Sequence, residues 1–95
     1  MKAMQVKHFG DPPALVDIPK PKPGPGQVLI KIFSCGLNFA DLLMLKGTYQ
    51  ELPPLPFTLG MEVAGEVVEL GPNVNYPAIG SRIAVFGGNG GVAEF

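Results

Sequence analysis

The sequence predicts a mainly β domain carrying one short helix. Three observations predict it. Short runs of alternating apolar and polar residues recur along the chain, Lys2–Phe9 and Val28–Cys35 being the clearest. The 13 glycines and 11 prolines fall between such runs without forming repeats, so they read as turns. Only Asn38–Lys46 changes period, and its spacing suits a helix.

Taken in order, Lys2–Phe9 alternates, with Met4 and Val6 on one face and Ala3 and Phe9 on the other. Gly10-Asp-Pro-Pro13 is a turn, and Leu15–Ile18 a short strand. Pro19-Lys-Pro-Lys-Pro-Gly-Pro-Gly26 fixes φ at alternate positions and removes ladder donors, so it is an extended surface connection. Val28–Cys35 follows as a strand, with Val28, Ile30 and Ile32 on one face and Leu29 and Phe33 on the other. In the helix, Asn38 is a suitable N-cap and Asp41 stands three residues later, close to a capping box. Lys46 and Gly47 make a stop. Glu51–Pro56 is loop, and Glu62–Leu70 a strand in which Gly65 marks a bulge or a close backbone approach. After the turn at Gly71-Pro-Asn73, Arg82–Phe86 is a further strand, and Gly87–Gly91 a flexible link into a strand over Val92–Phe95.

Composition excludes several functions. The net charge of −1 comes from 7 basic and 8 acidic residues with no basic stripe, so nothing favours nucleic acid or an anionic membrane. No apolar run is long enough to span a bilayer or to form a signal peptide core. Cys35 is the single cysteine, which fits a reducing, cytoplasmic compartment. The 95 residues make one domain at most.

Gly88-Asn-Gly-Gly-Val-Ala93 satisfies the G-x-G-x-x-A pattern of dinucleotide-binding turns. That turn needs a following helix whose N-terminus faces the pyrophosphate, and an acidic residue about 20 positions later. Only Glu94 and Phe95 follow, so the stretch reads as a glycine-rich hairpin loop.

The ordered set Pro25–Lys31, Cys35–Asp41, Pro56–Glu62, Gly65–Gly71 and Gly80-Ser-Arg82 resembles the N-terminal catalytic domain of NADPH:quinone oxidoreductases, the zinc-free branch of the medium-chain dehydrogenases. The resemblance covers essentially the whole chain. It implies a partly open β-barrel of the GroES-like type over residues 1–95, with the Rossmann cofactor domain absent from this chain, which is then the N-terminal part of a longer enzyme. It implies NADPH as cofactor and a small quinone or conjugated enone as substrate, and leaves a homodimer open for the full-length protein. In zinc-dependent relatives a Cys stands at the place of Asn38 and a His at that of Met61. Asn and Met are poor Zn²⁺ ligands, so no metal site is expected. Two departures are Ser81, where the family usually has Asp, and Leu43, where some bacterial members carry a cleft Tyr.

Asn38 and Asp41 match cleft positions beside the nicotinamide, and Tyr49 lies where a second cleft aromatic is found. These three are the candidate catalytic residues; no cofactor-binding residue is assigned. Each has a structural reading beside the functional one. Asn38 and Asp41 could serve only to cap the helix, and Tyr49 could be a loop aromatic. Glu62 reads as a structural carboxylate with Arg82 as candidate partner, Cys35 as a small core residue, and His8 as a surface or satisfied core residue. Two further readings stand beside the oxidoreductase: a stand-alone GroES-like binding module without catalysis, and a co-chaperonin, which would require a long polar mobile loop that the sequence lacks.

Overall fold

The computed structural model describes residues 1–95. Six strands and one helix follow the chain: β1 Lys2–Val6, β2 Ala14–Asp17, β3 Val28–Gly36, α1 Phe39–Lys46, β4 Phe57–Thr58, β5 Glu62–Leu70 and β6 Arg82–Phe86. They form two three-stranded sheets, ordered β2-β1-β4 and β3-β5-β6, with every pairing antiparallel. The sheets do not close on each other, and the domain is the partly open, mainly β architecture that the resemblance implies.

β3 arises where the alternation is clear, and β5 and β6 follow it as apolar-rich runs between turns. Their register carries two irregularities, between Leu29 and Ile30 and between Ile32 and Ser34. The second leaves Phe33 without a partner on β5, and a bulged residue breaks the alternation of faces. Phe33 is therefore 60% exposed and does not join Leu29 in the core. Gly65 lies buried opposite Ile32, where an added Cβ would come 2.1 Å from the Lys31 carbonyl oxygen. The close approach expected at Gly65 is present, while the bulge falls on the partner strand.

Both faces of β1 are covered, since Ala3 and Val6 are each 1% exposed. β1 stops at Val6, short of the expected Phe9, because the chain turns toward the helix. There the Gly10 N–H donates to the Leu45 carbonyl at 2.9 Å, and the Phe9 ring lies 6.4 Å from that of Phe57. His8 is exposed. β2 forms one residue earlier than expected at each end. The proline-rich link carries no strand, and its Lys20 ammonium sits 4.2 Å above the Phe95 ring.

Val92–Phe95 is not a regular strand; it contributes a single bridge, Ala3 to Ala93. Its backbone is nonetheless paired on two sides. The Val92 carbonyl accepts from Met4 N–H and the Glu94 carbonyl from Ile32 N–H, each at 2.9 Å. The segment thus ties the first sheet to the second. Its shape is set by these two partners and by tight packing of Gly91 against Val63 and Cys35.

The core is small. Val6, Met44, Phe57, Leu59 and Met61 form one buried cluster, with Ala40, Leu45, Tyr49 and Val92 packed against it. Full burial of such a side chain contributes about 1.5–3 kcal/mol.

Candidate functional site

The site is built where the start of α1 meets the turn between β4 and β5. Asn38 is the N-cap in extended backbone (φ −116°, ψ 160°), and Gly47 closes the helix in the left-handed conformation. The Asp41 carboxylate, 4% exposed, accepts two backbone donors. Oδ2 takes the Asn38 N–H at 2.8 Å, and Oδ1 takes the Gly60 N–H at 3.1 Å. The first bond is one half of a capping box and suits the positive end of the helix. The other half is weaker: the Asn38 side chain faces the Asp41 N–H in the capping-box arrangement but makes no cap bond of full hydrogen-bond geometry, and that N–H reaches the Asn38 backbone carbonyl at 3.0 Å. Capping at this terminus is thus carried mainly by Asp41. The Asn38 Nδ2 is buried without any partner.

Gly60 is held at φ 105°, and a Cβ there would meet the Val92 nitrogen at 2.6 Å and Cys35 Sγ at 2.7 Å. Burial pushes the Cys35 thiol pKa above its ordinary value, and the Asp41 charge pushes it the same way. Next to Gly60 stands Met61, buried in the core cluster, whose carbonyl accepts the Gly87 N–H at 2.7 Å. That bond opens a row. The N–H groups of Gly90, Gly91 and Val92 donate to Thr58, Gly60 and Leu59 at 2.7–2.9 Å. The glycine-rich segment is therefore a loop laid along residues 58–61. The amides of Gly87, Gly90, Gly91 and Val92 are spent there, which leaves only those of Gly88 and Asn89 without a backbone partner.

Beside this loop opens a cleft of about 560 Å³. Tyr49, Met44 and Met61 line one part of it, Leu52 and the Pro53-Pro54 turn another, and Phe86 and Asn89 the far side. Tyr49 is half-buried and packs against the core cluster. The structure thus joins Asn38 to Asp41 directly, and links Asp41 through Gly60 to the residue next along, Met61, on the cleft. Asn38 itself does not line that cleft. Glu62 is exposed and pairs in register with Gly36 and Phe86, whereas Arg82 faces Glu66, so the expected Glu62–Arg82 pair does not form. The offset follows from the antiparallel register, which puts Arg82 four residues from Glu62. No group of three or more His, Cys, Asp or Glu side chains is placed to hold a metal ion. Met44, Leu52, Phe86 and Asn89 were not identifiable from the sequence as cleft residues. They come from four separate segments, and no spacing links them.

The family model for the alcohol dehydrogenase GroES-like domain matches residues 24–95. The chain belongs to that family. This GroES-like domain is 39% identical to rat quinone oxidoreductase in an alignment that spans 100% of the chain and 30% of that protein. It is 51% identical over 70 residues to the rat synaptic vesicle membrane protein VAT-1 homolog, covering 74% of the chain and 17% of that protein. Among solved structures, the quinone oxidoreductase of Thermus thermophilus, determined alone and with NADPH, superposes with a TM-score of 0.83 at 40% identity over 99% of the chain and 28% of its own. A mycobacterial protein complexed with NADPH superposes with a TM-score of 0.89 at 38% identity, over 99% and 30% of the two chains. The GroES-like domain spans less than a third of the length of each of these proteins. No helix in it is long and apolar enough to cross a membrane.

Proposed function

We propose that this domain is the acceptor-binding part of a cytoplasmic, NADPH-dependent oxidoreductase that reduces quinones or conjugated enones without zinc. The observation that carries the reading is the buried, unpartnered Asn38 amide beside a carboxylate that fixes its backbone. A buried donor left unpaired costs free energy. A substrate oxygen that gains negative charge would satisfy it, and would be stabilised by it. The likeness to quinone oxidoreductases solved with NADPH supports the same chemistry.

NADPH, when bound, supplies the hydride. This chain's glycine loop fits its phosphates poorly, because the amides of Gly90, Gly91 and Val92 already bond residues 58–60 and only two loop amides are left. The cofactor is held mainly by a Rossmann domain outside this chain. The residues here position the acceptor. Asn38 does not line the cleft, so it donates only to an acceptor oxygen that extends past the cleft to the start of α1, and a proton taken from solvent completes the hydroquinone. Asp41 holds the Asn38 backbone and the Gly60 turn, while Tyr49 and Met61 wall the cleft and exclude water. The donor set disfavours a catalytic Zn²⁺, since Asn38 and Met61 offer an amide and a thioether.

The test is the chain joined to the cofactor domain of a matching quinone oxidoreductase. NADPH oxidation with a quinone is expected, with little alcohol oxidation by NADP⁺. Robust alcohol oxidation without quinone reduction would put the protein in the other branch. The identity to a protein named for synaptic vesicles and not for catalysis favours a second reading, a binding module. A folded, NADPH-binding fusion with no redox activity would support that second reading.

A further inference from the structure

The cleft beside Met61 has a chemical character that goes beyond hydride transfer as such. Its walls carry two thioethers, Met44 and Met61, and two aromatic rings, Tyr49 and Phe86. Thioethers and ring faces suit flat, polarisable ligands. Its volume of about 560 Å³ lies in the range of ligand clefts, roughly 300–1,000 Å³.

Charge is distributed unevenly in it. No Lys or Arg lines the cleft, and Glu51 is its sole carboxylate. Glu51 is exposed, and the chain's ion pair, Lys2 with Asp17, lies elsewhere. The charge on Glu51 is therefore uncompensated, and it acts directly on whatever enters the cleft that this residue lines. An anionic ligand entering there meets repulsion and finds no cationic partner.

We propose that this cleft takes uncharged, flat aromatic acceptors and that Glu51 is the specificity-determining residue that turns away anionic ones. The proposal rests on the acceptor site being the cleft lined by Tyr49 and Met61. One unit charge about 6 Å from another in water changes affinity roughly threefold. Glu51→Lys replaces repulsion by attraction and should move the preference by about tenfold or more.

The experiment is a titration of the isotopically labelled 95-residue chain, followed by amide resonances, at low and high salt. The probes are phenanthrenequinone and its sulfonated derivative, both of which lack the open ring position that alkylates thiols. Three outcomes are expected: the neutral probe shifts Gly87, Gly88 and Asn89; the sulfonate binds the native chain at least threefold more weakly; and Glu51→Lys reverses the order, with the gap narrowing at high salt. Glu51→Gln should bring the two probes close to parity. Equal affinities in the native chain and in Glu51→Lys would overturn the proposal, as would shifts confined to residues away from the cleft. This binding is read without cofactor, so a failure of quinone reduction in the fusion would leave it standing. Conversely, loss of charge selectivity would leave the reduction standing.

Discussion

Asp41 Oδ1 accepts the Gly60 N–H at 3.1 Å across 19 residues of sequence, from a carboxylate that is 4% exposed. The bond ties the first turn of α1 to the turn that carries Met61. Since the other oxygen takes the Asn38 N–H, both partners of this carboxylate are donors.

Asp41→Asn is therefore not a conservative change. An amide has one acceptor oxygen, so one of the two backbone donors must lose its partner and face an NH₂ group. The expected loss is about 1–3 kcal/mol in chemical denaturation, together with faster hydrogen exchange at Gly60. An unchanged midpoint with unchanged exchange at Gly60 would show that the clasp contributes nothing.

Asn38→Ala should behave in the opposite way. An N-cap that bonds the helix typically costs about 0.5–2 kcal/mol when replaced by Ala. Here the side chain makes no cap bond and its amide is buried unpaired, so the stability change should stay within about 0.5 kcal/mol. A loss at the upper end of the capping range would mean that the side chain caps the helix in solution.

Gly65→Ala tests the closest backbone approach in the second sheet. The added Cβ would lie 2.1 Å from the Lys31 carbonyl oxygen and 2.7 Å from Ile30 Cγ2. β3 and β5 must move apart, at a cost of about 1–3 kcal/mol. A thermal midpoint equal to that of the native chain would contradict the register described here.

The Cys35 thiol should alkylate more slowly at neutral pH than a free cysteine, because burial and the Asp41 charge disfavour its thiolate. The sign of the linked stability follows. The folded chain holds this proton to higher pH than the unfolded chain does, so stability falls as pH rises past the unfolded thiol's value. Replacing Cys35 with Ser should flatten that alkaline fall. Rapid alkylation at neutral pH would contradict the assignment.

Much of this arrangement was legible in the sequence, and the gaps have identifiable causes. The limits of β5 and β6 match the runs expected for them because turn residues bound them, Gly71-Pro72 after the first and Gly80 and Gly87 around the second. The helix was legible from the three-residue spacing of Asn38 and Asp41 and from Gly47, although which half of the box forms depends on side-chain geometry that spacing does not encode. β4 was not legible. Residues 57–61 are all buried, so the stretch has no period to read. Phe33 leaves the core through a bulge that is defined only once β5 is paired. For the site, Asn38 and Asp41 could be found because they are local to each other. The encounter of Tyr49 with Met61 and Phe86 could not, since it joins three distant segments.

The most direct measurement is steady-state quinone reduction by the chain joined to a cofactor domain, in its native form and as Asn38→Ala, with NADPH affinity measured alongside. The native fusion should reduce the quinone. Asn38→Ala should lower kcat, by up to roughly 10²–10³-fold if its amide is the main donor to the developing oxyanion, and leave NADPH binding and folding intact. Full turnover in Asn38→Ala would contradict the role given to the buried amide, and absence of turnover in a folded, NADPH-binding native fusion would contradict the function itself.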